Sequence, residues 1–140
     1  MWATQRLLPL ARGGPFAQGL SQGRAAALAL HERVRADRRF MTAFPPELDI
    51  AVWAPRAARV SDASELARRI FAEAARRHLH LALAELPLKF FDLEAAGMER
   101  DRETITCLRS VLMKPEHDAW LDEIWRILER ATTAASEEKA

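Results

Sequence analysis

The chain has few or none of several residue types, and each shortage excludes a class of protein. It contains 140 residues and one cysteine, Cys107, so neither an internal disulfide nor a multi-cysteine metal site can form within it. A single cysteine also fits a reducing compartment, and we expect the protein to be cytoplasmic. No apolar run reaches the roughly 20 residues needed to cross a bilayer. We therefore expect no association with a membrane.

The chain also has no large excess of positive or negative charge. Lysine and arginine number 21 against 20 aspartates and glutamates, which leaves a formal net charge of +1. Because so small a net charge creates no strong field, we expect no binding to nucleic acid. The basic residues are arginines except for Lys89, Lys114 and Lys139, and there is no tyrosine. Scattered arginines without accompanying aromatic residues are not typical of an RNA-binding surface.

The apolar residues that are present, 49% of the chain, predict a single small domain of alternating helices and strands. Helical spacing covers 2–10, 16–37, 62–77 and the residues from 118 onward, and strand patterns cover 40–44, 48–54, 79–86 and 104–115. We expect an α+β fold in which two leading helices precede a three- or four-stranded, largely antiparallel sheet. The helices near Asp62 and Asp118 should cover one face of the sheet. A capping box formed by Asp62 and Glu65 should open the first of them.

An arginine lies in the middle of the last predicted strand. Residues 104–115 read Thr-Ile-Thr-Cys-Leu-Arg-Ser-Val-Leu-Met-Lys-Pro, and the proline ends the strand because it cannot donate to a ladder. Arg109 keeps its charge at every accessible pH. Its guanidinium must therefore lie on a solvated face of the sheet or meet an anion.

This strand and its surroundings resemble the C-terminal end of the group II pyridoxal-phosphate (PLP) amino-acid decarboxylases, the glutamate and aromatic amino-acid decarboxylase family. The family has a Leu-Arg or Phe-Arg pair in its last strand, then a turn and a closing helix, and Leu108-Arg109, the turn at 114–117 and the helix from Asp118 match that order. Residues 35–40, Arg-Ala-Asp-Arg-Arg-Phe, resemble the family's Arg-x-Asp-Pro-Arg-Phe, with Arg38 in place of proline. The resemblance runs from Trp2 to about Ala131.

The resemblance implies the small C-terminal domain of fold-type I PLP-dependent transferases. It predicts a helical linker from a missing large domain over 1–39, the small α+β domain over 40–133 and a polar tail over 134–140. The expected partner is the PLP-binding large domain or its split-gene product, in an enzyme that assembles as a homo-oligomer such as a dimer.

The resemblance also implies that the chain contributes to an amino-acid decarboxylase, a carboxy-lyase, without being active alone. Such an enzyme needs a Schiff-base lysine, an acid near the pyridine nitrogen and groups that bind the phosphate. None of the three lysines has the family's His-Lys setting, and no Gly/Ser-rich loop leads into a helix as a phosphate site. We expect PLP in the complete enzyme and none on this chain. By resemblance, Arg109 holds the α-carboxylate of the amino-acid substrate.

Other interpretations of the same residues stay open. Arg109 is equally compatible with a structural ion pair to Glu85 or Asp92. The chain as a whole could be a freestanding interaction or regulatory module without catalytic activity. Its leading helices carry apolar side chains that the strands cannot all cover, so they either form an association surface or fold back on the chain's own sheet. These side chains include Leu7, Leu8, Phe16 and Leu20.

Two further pairs of residues are candidates for a metal site and for a hydrolytic acid pair. His78 and His80 stand two residues apart, as a metal pair on one strand face would, but no third ligand is evident beside them, which favours a structural role. Glu94 and Glu99 form a candidate acid pair for hydrolysis without a recognisable pocket around them. We assign neither pair to a site.

Overall fold

The computed structural model describes Leu7 and residues 9–137, without the side chain of Pro115. The helices are α1 (Pro15–Ala36), α2 (Val60–Arg76), the single turn α3 (Leu93–Ala96) and α4 (Leu121–Glu137), and the strands are β1 (Phe40–Thr42), β2 (Ile50–Pro55), β3 (Ala82–Pro87) and β4 (Thr104–Val111). Short 3-10 turns occupy Leu88–Phe90 and Pro115–His117. The helix predicted over 2–10 lies largely outside the described residues, as do Met1, Trp2, Leu8 and Lys139.

The four strands form one antiparallel sheet in the order β1-β2-β4-β3. The strand that carries the arginine, β4, is central and is bonded on both sides, with Leu108 opposite Trp53 of β2 and Leu83 of β3. The predicted α+β fold with a small antiparallel sheet is confirmed. A central strand is also the most rigid position in a sheet, because both of its edges are hydrogen-bonded.

Helices α1, α2 and α4 share one buried core with the sheet face that carries Trp53 and Leu108. Small residues allow the close approach: α1 buries Ala26 and Ala27, and a Cβ on Gly23 would lie 2.8 Å from the carbonyl oxygen of Leu112. The largest buried side chains of this core are Trp53, Phe40, Leu30, Ile70, Leu108, Leu112 and Leu128. The described part of the predicted linker is thus packed on the same core as the strands, and its role as a link to a larger domain stays a prediction.

Residues 35–40 join the end of α1 to β1. The carboxylate of Asp37 accepts hydrogen bonds from the amide of Arg39, at 2.9 Å, and from its guanidinium, at 2.6 Å. These charge-assisted bonds lower the pKa of Asp37 below its ordinary value. The same guanidinium lies 3.8 Å from Glu129 of α4. The Arg-x-Asp-x-Arg-Phe stretch therefore ties α1, β1 and α4 together.

The predicted capping box at the start of α2 is wrong. The helix begins two residues earlier, at Val60, and its N-cap residue Arg59 makes no side-chain capping bond. The amide of Val60 donates to the carbonyl of Glu99 at 3.1 Å, and the amide of Ser61 donates to the carboxylate of Asp101 at 2.9 Å. Acceptors from a distant segment thus satisfy the first turn, which local sequence does not reveal.

The C-terminal helix begins three residues later than predicted, at Leu121 instead of Asp118, and it also ends later than predicted. Helix α4 continues to Glu137, and Ala135 within it is fully buried, where the carbonyl oxygen of Ala135 accepts a bond of 3.0 Å from Nε of Arg69. Residues 134–137 therefore belong to the helix and not to the polar tail that we predicted. Residues 138–140 of that tail lie outside the described part of the chain.

Candidate functional site

The sheet has a second face, opposite the core that the three long helices share, and Val60 and Ala63 at the start of α2 pack at its edge. Side chains alternate along a strand, so Arg109, Cys107 and Ile105 point away from Leu108 and its helices. The half of this face near Ile105 and Cys107 is covered by Leu88, Phe91 and Met98, which follow β3. We refer to the remaining half, around Arg109, as the open face.

A concavity of about 870 Å³ lies on the open face. This volume is within the range of sites that bind small molecules. Its walls come from α1, the β1–β2 loop and strands β2, β3 and β4, and they are mostly apolar. The lining residues are Arg24, Leu28, Phe44, Pro45, Pro46, Glu47, Leu48, Ile50, Val52, Ala84, Leu86 and Arg109.

Arg109 brings an unpaired positive charge to this concavity. It stands between Val52 of β2 and Ala82 of β3 and is exposed. Within residues 9–137 no side chain or carbonyl accepts a hydrogen bond from its guanidinium, and no carboxylate lies within ion-pair distance of it. A guanidinium fixed in a central strand and free of internal partners is available to an external anion.

The structural ion pair considered for Arg109 does not form. Glu85 faces Thr106 across the ladder, on the opposite side of the sheet, where it accepts from the Thr106 hydroxyl and lies 3.7 Å from Arg68. Asp92 caps α3 by accepting from the amide of Ala95 at 2.9 Å. Glu85 cannot reach Arg109 because strand alternation places the two side chains on opposite faces of the sheet. Asp92 is engaged at the start of α3.

The loop between β1 and β2 forms one wall of the concavity and is held in place at two points. Nε of Arg24, on α1, donates to the carbonyl oxygen of Glu47 at 3.1 Å. The ring of Phe44 meets the ring of Phe90 edge to face, with 5.7 Å between centroids and an angle of 79°. None of these residues was a candidate from the sequence, although Pro45 and Pro46 separate the strand patterns over 40–44 and 48–54 and so mark the position of the loop.

Cys107, next to Arg109 on the same face of β4 but deeper, belongs to the core. It is fully buried, and burial, with a smaller contribution from Glu85, raises the pKa of its thiol to about 12. A thiol with so high a pKa stays protonated near neutral pH and is a poor nucleophile. Cys107 is therefore not an activated nucleophile beside the concavity, and the charged side chain that β4 brings to the concavity is that of Arg109.

The other candidate pairs do not reach this concavity. His78 and His80 are exposed, and His78 has a positive φ of 63° in the turn after α2. In the part of the chain that the structure describes, no cluster of three or more acids, histidines or cysteines could hold a metal ion. Glu94 lines a different depression, beside Lys89 and Arg100.

Several solved enzyme structures contain a region with a fold similar to that of this chain. Oryza sativa TDC with PLP and tryptamine has a TM-score of 0.67 and 19% identity, over 95% of this chain and 26% of that one. The glutamate decarboxylase domain of diaminobutyrate-pyruvate transaminase and L-2,4-diaminobutyrate decarboxylase from Vibrio parahaemolyticus has a TM-score of 0.58 and 17% identity, over 95% of this chain and 25% of that one. The chain has the fold of part of a group II PLP-dependent decarboxylase.

A third similar structure is Rhodiola rosea 4-hydroxyphenylacetaldehyde synthase, with a TM-score of 0.60 and 16% identity over 84% of this chain and 23% of that one. The sequence itself matches no family model and no curated protein. The chain spans about a quarter of the length of these structures. At the level of fold, the resemblance drawn from Leu108-Arg109 and residues 35–40 is confirmed.

Proposed function

We propose that this chain is the C-terminal part of a PLP-dependent amino-acid decarboxylase and that Arg109 binds the substrate's α-carboxylate. The observation that carries the proposal is the unpaired guanidinium of Arg109 in an apolar concavity on the open face. The shared fold supports it, since the enzymes of known structure that resemble the chain include decarboxylases.

The chemistry of Arg109 suits this role. A planar guanidinium grips a carboxylate with two parallel hydrogen bonds, which fixes the orientation as well as the position of the bound group. The apolar walls of the concavity reduce competition from water and so strengthen both bonds. Holding the amino acid in one orientation lowers the barrier to bond cleavage by positioning alone.

The described residues do not fit PLP itself. Lys89 places its ammonium 5.3 Å from the centre of the Phe90 ring, and neither Lys89 nor Lys114 lines the concavity with Arg109. In our proposal the PLP-binding large domain, or a split-gene product that replaces it, supplies the lysine and the phosphate site. The assembled enzyme is then cytoplasmic and a homo-oligomer. None of the helices in the described part of the chain is long and apolar enough to cross a membrane.

We expect the isolated chain to form no covalent adduct with PLP. The test is to mix the two, record the visible spectrum and treat the sample with borohydride, which would fix any adduct to its lysine. Mass spectrometry of the digested chain should find no stoichiometric modification. Specific reduction onto one of the three lysines, Lys89, Lys114 or Lys139, would contradict the proposal that another domain holds the cofactor.

The exposed apolar side chains of α1 should make the isolated chain self-associate. Phe16, Leu20, Arg24 and Leu28 follow one another at four-residue intervals, so one stripe of the helix runs into the concavity. Leu20 is 52% exposed, and burying such a side chain contributes about 1.5–3 kcal/mol. Sedimentation velocity should show association that increases with concentration.

Leu20→Ser should weaken this association about tenfold or more. A matched control is Leu83→Ser on β3, because Leu83 is also partly exposed but lies away from the stripe. A wild-type chain that stays monomeric at all concentrations would contradict an association surface on α1.

A freestanding interaction module is the second candidate function, and the same stripe on α1 favours it. The two candidates differ in what should be encoded nearby. A neighbouring or overlapping reading frame with a His-Lys pair supports the decarboxylase, and an unrelated neighbour supports the module.

A further inference from the structure

His31 is a buried titratable side chain that the proposed function does not use. It lies on α1, where Ala27 and Val34, one helical turn before and after it, are also buried. Its side chain is 5% exposed, and in the part of the chain that the structure describes Nδ1 of the ring is buried without a hydrogen-bond partner. A neutral imidazole can leave one nitrogen as a bare acceptor, whereas a protonated one donates from both nitrogens. Protonation in place would therefore bury an unpaired donor and a charge.

The charged groups on α1 itself do not offset this cost. Burial is the main influence on His31 and lowers the pKa of its imidazole below the ordinary value. Glu32 raises that pKa and Arg35 lowers it, each by less than burial does. These two side chains are also bonded to each other, with Nη2 of Arg35 2.8 Å from the carboxylate of Glu32.

The elements that pack on α1 bring no acid into an ion pair with His31 within residues 9–137. Strands β1 and β2 contain no titratable side chain. On α4, Asp122 pairs with Arg33 and Glu129 lies near Arg39. The titratable and charged groups of the β1–β2 loop, the Pro115–His117 turn and α4 are Glu47, Asp49, Glu116, His117, Asp122, Glu123, Arg126, Glu129, Arg130 and Glu137. None of them is placed to stabilise an imidazolium at position 31.

His31 lies on the flank of α1 that borders the concavity. Arg24 and Leu28 line the concavity and precede His31 by seven and three residues, spacings that put side chains on one side of a helix. Arg24 also holds the β1–β2 loop through the bond from its Nε to the carbonyl oxygen of Glu47. A movement of α1 away from the sheet would break this bond and free one wall of the concavity.

We propose that His31 is a pH-sensitive switch: the neutral ring keeps α1 packed on the sheet, and its protonation releases α1 together with the loop wall of the Arg109 concavity. Because the packed state favours the neutral ring, this contribution to packing is fully present above a pH of about 6.5 and is lost as the pH falls below it. The switch belongs to the fold of this chain and does not depend on the proposed decarboxylase activity.

The test is hydrogen exchange of backbone amides, corrected for the intrinsic exchange rate, at about pH 8 and about pH 5.5, a range in which imidazoles ordinarily titrate. The protection of the α1 amides should fall about three- to tenfold at the lower pH, since one pH unit changes the proton occupancy of the released ring about tenfold. The amide of Leu112, which donates to the carbonyl oxygen of Asp49 at the end of the β1–β2 loop, should lose protection with them. The amides of α2 should keep theirs. His31→Leu should remove the pH effect on α1.

Controls distinguish His31 from the other imidazoles. His80→Gln changes an exposed ring, and His117→Gln changes a ring in the turn that packs on α1, so both variants should keep the pH effect. An NMR titration of the wild-type chain needs no variant and should find that His31 titrates below a pH of about 6.5. Titration of His31 at or above that pH, unchanged α1 protection, an effect that persists in His31→Leu, or equal losses in α1 and α2 would each overturn the switch. Loss of α1 protection without loss at Leu112 would overturn the release of the loop.

Discussion

Trp53→Ala should lower the free energy of unfolding by about 3–5 kcal/mol, because it removes the largest buried side chain of the core. Trp53 is 1% exposed and stands opposite Leu108 of the central strand, under helices α1, α2 and α4. Its loss would leave a cavity that three helices and a bonded strand cannot easily close. Denaturant unfolding followed by far-UV circular dichroism measures the change.

Two substitutions sharpen this prediction. Trp120→Ala removes the same side chain where it is 54% exposed, and should change the free energy of unfolding by no more than about 0.5 kcal/mol. Trp53→Phe should cost less than Trp53→Ala, since Nε1 of Trp53 is buried without a hydrogen-bond partner and phenylalanine has no such group to satisfy. Similar losses for Trp53→Ala and Trp120→Ala would show that the core is not centred on Trp53.

Arg109→Lys should reduce kcat/KM of the assembled decarboxylase about 10- to 150-fold, which corresponds to about 1.5–3 kcal/mol of lost transition-state stabilisation. Lysine keeps the positive charge but cannot offer two parallel bonds to a carboxylate. The melting temperature should stay unchanged, because Arg109 is exposed and makes no ion pair with the residues that the structure describes. Steady-state kinetics and thermal unfolding of the same preparation measure the two quantities.

A control for Arg109→Lys is Arg130→Lys on α4. Arg130 is also exposed and lies outside the concavity, so this variant should keep both its kinetics and its stability. If Arg109→Lys retained full kcat/KM and melted earlier, Arg109 would belong to the fold and the proposed carboxylate site would be wrong.

Most of the correct fold predictions came from the regular spacing of apolar residues along the chain. The helices predicted over 16–37 and 62–77 correspond to α1 and α2 within two residues at each end. The strand predicted over 104–115 is β4, although it ends at Val111. These segments are long and their patterns are regular, so local spacing was enough to identify them.

Predictions that depended on distant partners were less successful. The capping box of Asp62 and Glu65 failed because Glu99 and Asp101, some 40 positions further along, supply the acceptors at the start of α2. The composition of 134–140 suggested a polar tail, yet α4 continues to Glu137, where the carbonyl oxygen of Ala135 accepts a hydrogen bond from Arg69. In both cases a contact between segments outweighed the local preference.

By itself the sequence determined the α+β class, the order of the elements and the opposite orientations of Leu108 and Arg109, because a strand turns successive side chains to opposite faces. Which face the helices cover, and where the β1–β2 loop lies, depended on the tertiary structure. Helix packing buried Leu108 and left Arg109 open, and the contacts of Arg24 and Phe44 built a wall beside it. Such contacts join residues far apart in the chain, and no local pattern of residues specifies them.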